Sequence, residues 1–195
     1  MLRAALLLTA LQLAGARVHA EEPISHRSPD KRFAIRIVES ANAEPRVELV
    51  ALPSRNKVIE LDPRLAGSGV ALTWSPDSQR FAVGAEAAEH DPPGSFRTVE
   101  VYQRADDSFK KVELPDVRYP EADWPKGTSR QTGAEDIAAL RWTDATTLVL
   151  ERTTSSPYGP NLEKLWRLTS EITIRFNKEG KPTVASVKKG KEEQR

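Results

Sequence analysis

The chain contains no cysteine, which excludes a disulfide framework, a thiolate metal site and a cysteine-linked lipid anchor. Histidine is scarce, with three in 195 residues. Neither sign of charge predominates, because the chain has 29 basic and 28 acidic residues. Such a balanced surface lacks the basic patches that neutralise phosphates, so we expect no nucleic-acid partner. An apolar core, rather than covalent cross-links, must hold the fold together.

The only long apolar run lies at the N-terminus, where Arg3 precedes Ala4–Leu13. Val18-His19-Ala20 then forms a small-x-small cleavage site. The run is shorter than the roughly 20 apolar residues that span a bilayer, which makes a membrane-anchoring first helix the weaker alternative. We predict a secretory signal peptide over residues 1–20 and no membrane span in the rest of the chain.

Removal of the predicted signal peptide takes away Arg3 and Arg17. The basic count then falls from 29 to 27 against 28 acidic residues, a formal charge of −1. No polybasic block remains to hold the chain on an anionic bilayer. We therefore expect a soluble protein of a bacterial periplasm or of the extracellular space, and a eukaryotic secretory origin stays open.

Alternation of apolar and polar residues with period two dominates the rest of the sequence. Phe33, Ile35 and Ile37, for example, share one side of a half-buried strand. No segment has a helical period with caps at both ends, and residues 134–140 make at most a brief helical turn. The further predicted strands are 46–52, 57–61, 69–75, 79–85, 97–104, 108–114, 138–143, 146–152, 164–176 and 182–188.

A short phrase recurs at the start of several of these strands. Trp74-Ser75-Pro76-Asp77 leads into Phe81-Ala82-Val83, and Ser28-Pro29-Asp30 leads into Phe33-Ala34-Ile35. A fainter version begins at Trp142. Proline sets the second position of a tight turn, so each phrase predicts a hairpin. The phrases divide the strands into three sets of about four, which indicates stacked repeat units.

The phrase at Trp74–Val83 resembles the blade motif of TolB-like β-propellers, relatives of the WD-repeat families. Ser28–Ile35 is similar to it, whereas the version at Trp142 lacks the proline. In those families the motif spans the hairpin between the first two strands of a blade. The resemblance implies blade-like antiparallel meanders. The envelope lipoproteins that such families bind are not carried over, because no matching residues are identifiable here.

A closed propeller needs four to eight blades, and the chain holds about three units. We therefore predict an all-β fold of antiparallel meanders, open or sandwich-like rather than a closed propeller. An open arc and closure by homo-oligomerisation are the alternatives. The predicted boundaries are a repeat domain over 21–187, an insertion loop over 115–136 within it, and a charged flexible tail over 188–195.

Two predicted loops carry aromatic residues beside prolines. The segment 115–136 contains Tyr119 and Trp124, and the segment 153–162 contains Tyr158. Flat rings on proline-stiffened loops suit stacking on sugars or peptides, so these three residues are the predicted binding residues. The alternative is that Trp124 and Tyr158 fold back and cover the ends of the sheets.

No catalytic set is evident, and we expect no enzyme activity, cofactor or metal. The alternative is a metal-dependent hydrolase that uses Glu86, Glu89, His90 and Asp91, which lie within six residues. A solvated hairpin loop explains the same segment. The favoured function is a non-catalytic binding or scaffold module of the cell envelope that presents loops to a protein or glycan partner. A structural fragment that works only beside another chain is a third possibility.

Overall fold

A computed structural model describes residues 23–40, 43–62, 64–85, 96–120, 123–128 and 133–194. Almost all regular structure in these ranges is β-strand, and the single helix, α1, is the five-residue Arg64–Ser68. The strands are β1 (Ile24–Ser25), β2 (Phe33–Ser40), β3 (Ala43–Ala51), β4 (Lys57–Glu60), β5 (Val70–Trp74), β6 (Arg80–Ala85), β7 (Phe96–Arg97), β8 (Glu100–Ala105), β9 (Ser108–Val112), β10 (Ala134–Asp144), β11 (Thr147–Tyr158), β12 (Lys164–Phe176) and β13 (Pro182–Gln194).

The strands form three antiparallel meanders in chain order. The first sheet is β1-β2-β3-β4, the second is β5-β6-β8-β9, and the third is β10-β11-β12-β13. The short strand β7 adds to β10 of the third sheet in parallel. The predicted all-β fold of three blade-like units, open rather than closed into a propeller, is confirmed.

The second sheet lies between the other two and buries both of its faces. Phe81 and Val83 of β6 point into a core shared with Phe33 and Ile35 of the first sheet. Ala82, the residue between them, points into a core shared with the third sheet. Because side chains alternate across a strand, one continuous apolar run in β6 supplies both cores.

Both Ser-Pro-Asp turns have the same hydrogen bonds. The Ser28 hydroxyl donates to Asp30 Oδ1 at 2.6 Å and accepts from the Phe33 N–H at 3.0 Å. The Ser75 hydroxyl does the same with Asp77 Oδ1 at 2.6 Å and the Arg80 N–H at 2.8 Å. The recurring phrase therefore encodes one turn structure, with the serine closing its base.

The tryptophans of the repeat join one sheet to the next. Trp74 Nε1 donates to the His26 carbonyl at 2.8 Å, and Trp142 Nε1 donates to the Thr73 carbonyl at 3.2 Å. His26 and Thr73 are equivalent, since each lies two residues before the serine of its turn. The tryptophan position of the first unit is taken by Arg27. Each indole thus attaches its sheet to backbone that lies just before the turn of the preceding sheet.

Several predicted boundaries differ from the structure. Residues 188–194 lie in β13 and pair with β12 rather than forming an irregular tail, because β12 is long enough to supply partners up to Trp166 opposite Gln194. Residues 153–158 belong to β11 and not to a loop. β10 begins at Ala134, inside the predicted insertion, and 134–140 is strand rather than a helical turn. The predicted signal peptide, 1–20, lies outside the described residues and stays a prediction.

Candidate functional site

The three predicted binding residues meet in one cluster at the end of the third sheet. Tyr119 and Trp124 come from the segment before β10, and Tyr158 is the last residue of β11. They surround Trp166 of β12, with ring centroids 5.7 Å apart for Trp124 and Trp166 and 6.1 Å apart for Tyr119 and Trp166. We call these four residues the aromatic cluster.

The members of the aromatic cluster differ in exposure. Trp124 is 8% exposed and Trp166 is 2% exposed, so both indoles pack as core residues. Tyr119 and Tyr158 are partly buried and contribute the accessible part of the cluster. The segment around Trp124 therefore lies against the sheet instead of projecting from it. Binding by these residues stays a prediction, and the tyrosines are the ones that a ligand can reach.

The β11–β12 hairpin carries further exposed groups beside Tyr158. The Tyr158 hydroxyl donates to Gln194 Oε1 at 3.4 Å, and Lys164 Nζ lies 5.9 Å from the Tyr158 ring centroid. Leu162 is 51% exposed and Leu165 is 39% exposed. We call Tyr158, Leu162, Lys164 and Leu165 the hairpin tip. Tyr158 ends a strand of 12 residues, Lys164 and Leu165 begin one of 13, and Leu162 lies in the turn between the two strands. Leu165 pairs with Pro157, so it lies on the opposite face of the hairpin from Tyr158.

A buried polar row lies on the same face of the third sheet, next to the aromatic cluster. Glu135, Arg152, Thr154 and Ser170 are each 3% exposed or less. Glu135 of β10 lies opposite Thr154 of β11, and Ser170 of β12 lies opposite Arg152 of β11. We call these four residues the polar row. Buried charged groups are costly unless they are paired, so such a row needs a physical explanation.

Residues 117–119 cover the polar row and supply hydrogen-bond partners to its two charged side chains. Glu135 Oε1 accepts from the Tyr119 N–H at 2.5 Å and from the Thr154 hydroxyl at 3.1 Å. Arg152 Nη1 donates to the Val117 carbonyl at 2.7 Å, and the Arg152 guanidinium lies 4.9 Å from the Tyr119 ring centroid. Two buried charges therefore anchor the backbone of residues 117–119.

Burial lowers the pKa of Arg152, and the nearby charge of Glu135 opposes that shift. A guanidinium retains its proton even so, because arginine is not deprotonated in proteins. Glu135 and Arg152 thus make up a buried pair of opposite sign on neighbouring strands, linked through the covering segment.

Two clefts open elsewhere on the described surface. One, of about 260 Å³, lies between β9 and residues 113–118, and its Lys111–Glu100 and Arg118–Asp116 charges pair with each other at 2.5 and 2.7 Å. The other, of about 400 Å³, is a shallow basic cleft with Arg27, Lys31 and Arg55. Neither brings together a catalytic set.

The polar row was missed by sequence reasoning, although the signal is present in the pattern. Leu148 and Leu150 are the inward residues of β11, and continuing that alternation brings Arg152 and Thr154 to the same face. Polar residues at inward positions of a predicted strand were therefore the available sign.

The alternative hydrolase site, Glu86, Glu89, His90 and Asp91, lies outside the described residues and stays a prediction. Within the ranges that the structure does describe, no group of three or more histidine, aspartate or glutamate residues is placed to hold a metal ion. No helix in those ranges is long and apolar enough to cross a membrane.

No family model matches the chain, and no curated protein matches it. Among solved structures it is similar to TolB from Acinetobacter baumannii, with 12% identity and a TM-score of 0.33. The match covers 85% of this chain and 44% of that one, so the chain spans less than half the length of that neighbour. At this TM-score the likeness carries no argument about function. The three antiparallel sheets are consistent with weak blade-like repeats, and a closer relation to WD-repeat proteins stays a prediction.

Proposed function

We propose that this protein is an exported, non-catalytic binding or scaffold module of the cell envelope. Its contact surface is the hairpin tip together with the partly buried tyrosines of the aromatic cluster. The observation that supports this most directly is the convergence of Tyr119, Trp124 and Tyr158 around Trp166, with the exposed Leu162 in the turn that follows Tyr158. The partner class is a protein or a glycan of the envelope.

Exposed apolar groups and a rigid support both favour binding at this contact surface. Exposed leucine side chains are unfavourable in water, and neighbouring exposed apolar groups frequently mark contact sites. Tyr158 presents a ring and a hydroxyl with few rotatable bonds, so little side-chain entropy is lost when it is covered. The buried indoles behind it hold the hairpin in place. A partner therefore meets a preformed hairpin tip.

The test is retention of the purified protein on an envelope fraction in a co-sedimentation assay. Tyr158→Ala and Leu162→Ser should each lower retention several-fold, because they remove exposed contact area from the hairpin tip. Val187→Ser is the matched control, since Val187 is a 54% exposed apolar residue on β13, outside the tip. Urea unfolding of every variant shows whether the fold is kept.

Equal retention of wild type, both tip variants and the control would contradict the proposal. Loss of retention that merely follows loss of folding would assign Tyr158 to packing instead of binding.

A further inference from the structure

Three atoms of the polar row have no hydrogen-bond partner among the described residues. They are Glu135 Oε2, Arg152 Nε and Ser170 Oγ. One is an acceptor, one is a donor and one can act as either. Leaving such groups unpaired away from water is unfavourable, and more so for a charged group than for a neutral one. The row therefore offers hydrogen bonds that the covering segment does not use.

The charges of the polar row restrict what can use them. An anion would face the Glu135 carboxylate, and a cation would face the Arg152 guanidinium. A neutral molecule with several hydroxyl groups avoids both conflicts, because each hydroxyl can donate to Glu135 or accept from Arg152.

The walls beside the polar row add a second requirement. The Tyr119 ring lies over Arg152, and the Trp166 ring lies 6.1 Å from Tyr119. Aromatic faces next to directed polar groups are the usual lining of small-molecule sites. A sugar ring has an apolar C–H face and a rim of hydroxyls, so it matches both parts of this lining.

We propose that the polar row and the aromatic cluster together form a binding site for a neutral sugar unit of a glycan. This inference deepens the proposed binding function and rests on it. Access requires residues 117–119 to lift, which carries the Tyr119 ring away with them and leaves Trp166 of β12 as the aromatic wall. The Tyr119 N–H and the Val117 carbonyl then release Glu135 and Arg152 to the sugar. The segment and the ligand compete for the same two charged side chains.

Ser170→Ala is the decisive variant because the hydroxyl it removes is unpaired in the protein. Without a ligand, this change should leave the urea midpoint unchanged or raise it. With a ligand, it should weaken binding roughly three- to tenfold, the effect of one lost hydrogen bond. Ser155→Ala is the matched control, since Ser155 lies on β11 and the opposite face of the same sheet.

The probes are soluble tetrasaccharides of N-acetylglucosamine, of glucose and of mannose, titrated while tryptophan fluorescence and heat are recorded. We expect saturable binding of at least one, weakened by Ser170→Ala and unaffected by Ser155→Ala. No binding of any probe at about 10 mM, equal binding by both variants, or a crystal structure with ordered water alone on the three atoms would overturn the proposal. Envelope retention that still depends on Tyr158 and Leu162 would then show that the hairpin tip functions without a sugar site.

Discussion

At the scale of single residues, the repeat is held by side chains that bond to backbone. The indoles of Trp74 and Trp142 reach equivalent carbonyls of the preceding sheet, and Ser28 and Ser75 close equivalent turns. The serine hydroxyls accept from the N–H groups of Phe33 and Arg80, which are buried and need partners away from water. The recurring phrase therefore connects neighbouring sheets as well as forming the turns.

Trp74→Phe tests the joint between the first two sheets. The change keeps an aromatic ring beside Phe33 and Phe81 but removes the N–H that bonds to His26. We expect a loss of about 1–2 kcal/mol in the free energy of unfolding, measured with urea. Trp142→Phe should behave alike at the second joint. Unchanged midpoints for both would show that the indole bonds contribute nothing.

Asp30 connects the first turn to the pH dependence of stability. Burial raises the pKa of this carboxyl, but hydrogen bonds from the Ser28 hydroxyl and the Arg32 N–H, with the charge of Arg32, lower it below its ordinary 3.8 overall. A carboxyl whose pKa is lowered by folding stabilises the protein above its unfolded pKa. That contribution disappears as the pH falls through the folded value.

Asp30→Asn should therefore be less stable than wild type near pH 6. The difference should shrink as the pH falls below about 4, where the wild-type carboxyl also takes up a proton. Urea unfolding at a series of pH values measures it. A difference that stays constant down to pH 2 would mean that the carboxylate charge is not what matters in this turn.

At the scale of elements, β13 is an exposed edge strand with features that hinder pairing with a strand of another molecule. Register shifts opposite Leu168–Ser170 and opposite Thr173–Ile174 place an extra residue in the strand at two points. Lysines follow at 188, 189 and 191. Bulges and edge lysines both hinder the addition of another strand. These features favour the hairpin tip, rather than this edge, as the contact surface.

Gly190→Ala tests whether the last part of β13 is paired. A Cβ at this position would lie 2.8 Å from the Thr169 carbonyl oxygen, so the two strands would have to separate locally. We expect a loss of about 1–3 kcal/mol in unfolding free energy. Ser186→Ala, on an exposed part of the same strand, should change little. A silent Gly190→Ala would indicate that residues 188–194 do not contribute to the folded sheet.

The segment before β10 gives a second prediction at this scale. Trp124→Ala should cost about 3–5 kcal/mol, because it removes a buried indole from its contact with Trp166. Tyr158→Ala should cost less, since its ring is only partly buried. Urea midpoints of the two variants measure the order, and the reverse order would contradict the assignment of Trp124 to packing.

At the scale of the whole molecule, the outward face of each end sheet carries charged residues beside buried apolar ones, namely Ala34 and Val50 on the first sheet and Val149 on the third. On the first sheet Arg36 pairs with Glu48 at 2.6 Å, and on the third Arg141 pairs with Glu171 at 3.5 Å. Repeat proteins need polar groups on the outer faces of their end units. The ion pairs therefore favour a stack that ends at these two sheets over a propeller ring that is completed by further blades.

We expect the purified protein to be a monomer of about 21.6 kDa, less the signal peptide if that is cleaved. Light scattering coupled to gel filtration over a wide concentration range measures the mass. A stable dimer would show that the charged end faces associate and that the array closes by self-association.

The sequence predicted most of the strands, because alternation with period two reports directly which residues face a core. It also predicted three units and their turns from two Ser-Pro-Asp phrases and the fainter phrase at Trp142. It did not predict that β11 and β13 continue as strands past Arg152 and Lys188. There the inward residues are polar, and alternation of apolar with polar residues is lost.

What the sequence determined by itself is local: turns, strand periodicity and the number of units all depend on neighbours within a few residues. Which distant residues share an interior depends instead on how the sheets pack together. Tyr119, Trp124, Tyr158 and Trp166 come from three separate segments, and Glu135 and Arg152 lie 17 positions apart. Their proximity depends on the register between strands and on how residues 117–119 lie across the sheet. No short stretch of sequence determines either of these.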